Sequence, residues 1–275
     1  MEASILTNTI ILQISLLFLS LYSLFRLVKL YRSKIYRSYQ NLFYWCIFLG
    51  CLGLCVNEFW LSLKYYDGMD LKLYYTIAIP FNFIILYSYL LMIPVQAELY
   101  YLCKEAKTGK YYNKNKIVRS LHILITIMTL INMVVHFIFY SVEVKKYYII
   151  DPCLMLLATV ITIGFWLYYG IQLTRIVKNV AGEVMWNQTR KLFIVEIVWS
   201  AMYITTVIIV FLSDSKSRFH PEAKYSWGEL IFIYIQKVIP SLLIMVVVFE
   251  TPKTIKPKEL LLVNLNTTSS ENEEY

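Results

Sequence analysis

Four ionisable side chains fall inside long apolar runs of this chain: Glu58, Glu98, Glu196 and Lys237. A charge in hydrocarbon is costly, so such residues persist where they are paired, hydrated or put to use. Lys237 lies eight residues from one end of its run and twelve from the other. At about 1.5 Å of helix rise per residue it sits roughly 12 Å below one boundary, with Glu58 roughly 8 Å below the same boundary. The matched depth predicts an interhelical Glu58–Lys237 ion pair, with Asn57 and Gln236 completing the hydrogen bonds. Glu98 and Glu196 lie about one turn from the opposite ends of their runs, where a carboxylate reaches the interface or a basic neighbour such as Lys104 or Lys191. A lysine in a final helix also invites a retinal Schiff base. No Asp at that depth in the third or seventh run offers a counterion, which argues against it.

Other reactive side chains point to packing. His122 and His136 are fourteen residues apart on one helical face, about 21 Å along the axis, too far to share a metal. Of the five cysteines, Cys46, Cys51 and Cys55 share one run, Cys103 ends the next, and Cys153 alone lies near the outer face. No extracellular disulfide framework follows. Cys103 also has the juxtamembrane position of a lipidated thiol. There is no nucleophile elbow, glycine-rich phosphate loop or paired metal spacing. The expectation is a protein that is not an enzyme, with no catalytic or metal residues and no cofactor.

The elements that position these residues follow from composition. The 275 residues are 59% hydrophobic, 16% aromatic and 16% charged, against about 25% charged in soluble domains. That excess of apolar surface requires lipid as solvent and excludes soluble, collagen-like and disordered classes. Seven runs suffice to cross a bilayer as helices, at about 4–25, 41–63, 73–102, 120–141, 152–174, 192–213 and 229–249. Their continuity excludes a β-barrel. The predicted fold is an all-α membrane protein, a seven-transmembrane helix bundle over residues 1–250. The third run contains Pro80 and Pro94 and should be kinked or tilted. The first run is too long for a secretory signal and is followed by a basic cluster, so it is expected to stay as a span.

Charge orients the bundle. Of the 26 Lys and Arg residues, 18 fall in loops on one side and seven on the other, with Lys237 inside a span. By the positive-inside rule the N-terminus is outside and the C-terminus cytosolic. The basic residues Arg32, Lys34, Arg37, Lys107, Lys110, Lys114 and Lys116 then form an inner surface for anionic lipid or cytosolic protein partners, with no nucleic acid implied. Both sequons, at Asn187 and Asn266, fall on this inner side. Residues 251–275 form a cytosolic tail that turns acidic and is expected to be disordered at its end. Within it, Glu259 before Leu260-Leu261-Leu262 suits an acidic dileucine sorting signal.

Two stretches carry a resemblance. The third run ends Leu91-Met92-Ile93-Pro94-Val95-Gln96-Ala97-Glu98-Leu99-Tyr100-Tyr101. The seventh reads Tyr234-Ile235-Gln236-Lys237-Val238-Ile239-Pro240-Ser241-Leu242-Leu243, followed by Thr251-Pro252-Lys253. These are similar to segments of the plant tobamovirus multiplication proteins and their seven-span animal relatives. The motif positions are Ala97, Glu98, Tyr100, Pro240 and Ser241. The family pattern has a carboxylate where Lys237 stands, a Trp at Gln96 and a basic residue near Glu58. An exchange of charges between helices favours a structural pair. The resemblance implies a receptor-like scaffold without enzyme activity in vacuolar or endolysosomal membranes, working with cytosolic small GTPases, with the plasma membrane as the alternative address. The signatures of rhodopsin-type receptors, Asp/Glu-Arg-Tyr and Asn-Pro-x-x-Tyr, are replaced by Ala97-Glu98-Leu99-Tyr100 and Ile239-Pro240-Ser241-Leu242. A scaffold or adaptor is therefore the leading expectation. A divergent receptor for an outside ligand comes second and a transporter third, as no internal repeat is evident.

Overall fold

A computed structural model describes residues 2–32, 38–64, 71–141, 150–180, 182–212 and 234–248. Among these the chain is helical apart from a turn at Leu91 and the 109–113 connection, with no strand. The helices are α1 (Glu2–Arg32), α2 (Ser38–Lys64), α3 (Leu71–Leu90), α4 (Met92–Thr108), α5 (Lys114–Ser141), α6 (Ile150–Val180) and α7 (Gly182–Leu212). A last segment follows, with π-helical turns Tyr234–Val238 and Ile244–Val248 flanking a short α8 (Ile239–Leu243). Five stretches are long and apolar enough to cross a membrane: Thr7–Arg32, Tyr39–Trp60, Thr76–Thr108, Lys114–Ile138 and Val160–Lys178. Helix is what such sequence must form in lipid, where each backbone N–H and C=O needs a partner within its own segment.

Most helices overrun the apolar runs that announce them. α1 continues to Arg32, and α7 begins at Gly182, ten residues before its hydrocarbon-like run. Hydropathy marks the edge of hydrocarbon, whereas backbone hydrogen bonding continues into the polar flank. The third run breaks where proline chemistry requires. Pro94 has no N–H to offer the carbonyl of Leu90, four residues back, and α3 ends at Leu90. The axis is carried across the gap by Leu91 N–H donating to Tyr87 O at 3.1 Å and Val95 N–H to Leu91 O at 3.5 Å.

In packing order α1 lies on α2, α2 on α3, α3 on α5, α4 on α5 and α6, and α6 on α7, while the last segment packs against α7 and α1. The α3–α4 stretch is the most enclosed, 56% buried against 22% for α5, so its residues set the interior. Small residues allow the closest approaches. A Cβ at Gly53 would collide with the Phe81 ring, and one at Gly170 with the Phe193 ring. Side chains such as Leu16, Leu19, Phe43, Ile47 and Met92 fill the core. Ile14, Phe18 and Phe25 of α1 and Ile131, Val134 and Ile138 of α5 point outward, apolar and exposed. That is the inverse of a soluble surface and suits contact with acyl chains. Lys34, Arg37, the side chains of Cys153 and Gln236, and residues 249–275, which hold the Asn266 sequon and the dileucine stretch, lie outside the described residues.

Candidate functional site

One stripe of α3–α4 is polar inside an apolar helix. Asn82, Tyr89 and Gln96 recur every seven residues, which returns them to nearly the same face. Each meets a polar group on a distant element. Asn82 Oδ1 accepts from Lys237 Nζ at 2.5 Å. The Tyr89 hydroxyl donates to Lys237 O at 2.9 Å and shares a 2.8 Å hydrogen bond with Ser241 Oγ. Ser241 Oγ itself reaches Lys237 O at 2.6 Å. Gln96 Nε2 lies 2.6 Å from both carboxylate oxygens of Glu196. The result is a polar seam about 21 Å long, from Asn82 to Gln96.

The π-helical turn at Tyr234–Val238 helps supply the partners of the seam. A π turn shifts the hydrogen-bonding register and leaves carbonyls open to other donors, and Lys237 O takes its bonds from Tyr89 and Ser241. Pro240 and Ser241, the second and third residues of α8, are buried, Ser241 fully so. Ser241 is thus a structural part of the seam, with Pro240 buried next to it. Above them the Tyr234 hydroxyl bonds Ser15 of α1. Beside the seam, Tyr89 packs on Trp199 with ring centroids at 5.4 Å, and Trp199 on Trp166 at 4.7 Å and Tyr203 at 5.0 Å. The aromatic stack joins α3, α6 and α7.

Glu58 is buried, 5% exposed, on α2. Cys51, within electrostatic reach of Lys237, and Cys55, within reach of Glu58, lie with it along one stripe of α2. The Lys237 ammonium bonds Asn82 Oδ1 of α3, an amide partner that the matched depths did not predict. For Glu196 the expectation of a snorkelling or Lys191-bound carboxylate is corrected. It is 6% exposed and turned into the bundle onto Gln96. The helix there faces α4 and α6 rather than the interface, because α7 starts well before its apolar run. Glu98, one position past buried Ala97, is exposed, while Tyr100 is buried. The histidines behave as packing residues. His122 bonds the Tyr87 hydroxyl at 2.6 Å, while His136 Nδ1 meets Asn132 O at 3.0 Å and its ring abuts Phe83. Cys46, Cys51 and Cys103 are buried free thiols.

A second candidate surface is the α4–α5 hairpin. The helix ends at Gly109, whose φ of 62° is left-handed and needs no Cβ accommodation, with its N–H returning to Glu105 O at 2.9 Å. Glu105 then organises the turn: Lys114 Nζ donates to Oε2 at 2.9 Å and the Tyr112 N–H to Oε1 at 3.0 Å. Thr76–Thr108 spans 33 residues, about 50 Å of helix, so this end projects beyond the hydrocarbon. There the Lys114 ammonium and the Tyr112 amide hold the Glu105 carboxyl below its usual range. Lys104 lies over the Tyr100 and Tyr112 rings at 5.5 and 4.8 Å. Lys107, Lys110, Lys116 and Arg119 stay exposed, as does Tyr111 at 82%. Lys114 is committed to Glu105; Arg32, at the end of α1, is exposed.

Compared with known proteins, the chain matches no protein-family model, no curated protein and no solved structure.

Proposed function

We propose that this chain is a multi-pass membrane scaffold or adaptor of the tobamovirus-multiplication-protein type, docking cytosolic partners on its basic inner loops. In this reading α1, α2, α3–α4, α5, α6, α7 and the last segment are seven spans, with the N-terminus outside and the tail cytosolic. The 18 to seven asymmetry of basic residues supports that orientation. One observation carries the docking function: the α4–α5 hairpin is built to a fixed shape around Glu105 and still leaves Lys107, Lys110, Lys116 and Tyr111 outward. Membrane anchoring alone needs the charge and not the shape. An ordered basic surface with an exposed aromatic suits an acidic protein face.

The test uses the full chain in nanodiscs of neutral lipid and a panel of purified small GTPases and heterotrimeric G proteins. Saturable small-GTPase binding that falls at least about tenfold in a Lys107→Glu/Lys110→Glu/Lys116→Glu variant, a loss of about 1.4 kcal/mol, supports the scaffold. Binding of a heterotrimeric G protein instead moves the reading to a divergent receptor. Binding indifferent to the three lysines overturns the docking surface. The address proposed with it is a vacuolar or endolysosomal membrane, tested by localising a tagged copy with and without Glu259–Leu262.

A further inference from the structure

Glu196 and Gln96 are buried together in the middle of the bundle, and their hydrogen bonding is unbalanced as an ionised pair. Gln96, 1% exposed, presents Nε2 to both carboxylate oxygens at 2.6 Å, while its own Oε1 is buried with no donor. Among the described residues no Lys, Arg or His comes within ion-pair distance of Glu196. An isolated carboxylate in such surroundings takes up a proton rather than remain charged. A proton resolves both defects at once. The orientation of a side-chain amide is fixed by its hydrogen bonds, and as an acid Glu196 donates its O–H to Gln96 Oε1 while Gln96 Nε2 donates to the Glu196 carbonyl. The cyclic acid–amide pair leaves neither Gln96 Oε1 nor the acid hydroxyl unmatched.

We propose that Glu196 is a proton-binding site, with the Gln96 amide as its reciprocal partner. The site bridges α4 and α7, which otherwise meet mainly through α6 packed against both. Release of the proton leaves a carboxylate facing an amide with only one donor group to give, and the bridge loosens. The ionisable groups on the packed elements do not offset that charge. Tyr89 and Tyr100 of α3 and α4, Tyr169 of α6 and Tyr203 of α7 carry no positive charge and are tied into aromatic contacts. Lys237 of the last segment is bonded to Asn82, roughly 21 Å of helix rise from Gln96. The contact is therefore tightest in acidic surroundings. This inference is independent of any docking partner.

Infrared difference spectra of the full chain in nanodiscs, wild type minus Glu196→Gln, test it at neutral pH. The proposal expects a protonated carboxylic acid carbonyl band in the wild type that Glu196→Gln removes and that strongly alkaline solution converts to carboxylate. Loss of carboxylate bands in Glu196→Gln, with no acid band affected, overturns it. Gln96→Leu keeps the test decisive where Glu196→Gln does not accumulate. It must shift the acid band to higher frequency by removing the amide partner, and an unshifted band contradicts the pairing.

Discussion

Lys237 illustrates how a half-buried charge is accommodated: its ammonium meets the Asn82 amide oxygen while its own carbonyl is held by Tyr89 and Ser241. Hydrogen bonds to charged groups contribute about 1.5–3 kcal/mol net. Asn82→Leu should lower thermal stability in detergent by about that amount, and Asn82→Asp, which offers a full charge, should retain wild-type stability. Equal melting of Asn82→Leu and wild type contradicts the assignment. The predicted partnership with Glu58 is read in the same assay, as a charge swap at Glu58 and Lys237 that recovers what each single change loses. At the hairpin, Glu105 has a carboxyl held below its ordinary range. A depressed value contributes order above the unfolded carboxylate range, and that order is lost as pH falls through the lowered value. Hydrogen exchange at the Tyr112 amide should then lose protection on acidification, and Glu105→Gln should expose that amide at every pH. The ionisable residues inside the spans were legible in the sequence because charge is rare in hydrocarbon. Their partners were not, since Asn82, Tyr89 and Gln96 are uncharged and their seven-residue spacing is visible only once one helix face is known to be internal.

At the scale of elements, the apolar runs located the helices. Pro80 and Pro94 together announced a distorted third run, but not that Pro80 stays within α3 while the helix is interrupted at Leu91, before Pro94. The helix ends lay beyond reach. Hydropathy stops at the interface while α1 and α7 continue through polar flanks. That overrun is also why Glu196, placed near an end by hydropathy, lies well within a helix of 31 residues. The π turns around α8 had no signal in the sequence except Pro240. Close packing of α6 on α7 depends on Gly170 beneath Phe193. Overpacking such a site costs typically about 1–3 kcal/mol. Gly170→Leu should therefore destabilise by that much, with Phe193→Ala restoring part of it in the double variant. Additive losses in the two substitutions would mean that the helices do not meet there.

For the whole molecule, lipid as solvent explains why the described helices carry apolar residues both inside and out, and why specificity falls to a few polar contacts and small residues. The orientation rests on where the basic residues fall, and it decides what the hairpin can meet. If Lys107, Lys110 and Tyr111 face the cytosol they form a docking surface; if they face outward the scaffold reading fails with them. The most direct test is cysteine labelling by a membrane-impermeant maleimide supplied only from the cytosolic side of sealed membranes. Tyr111→Cys should label fully and Lys145→Cys, which lies between α5 and α6 in the sequence, only after the membrane is opened. Labelling of Lys145→Cys with Tyr111→Cys protected contradicts the account.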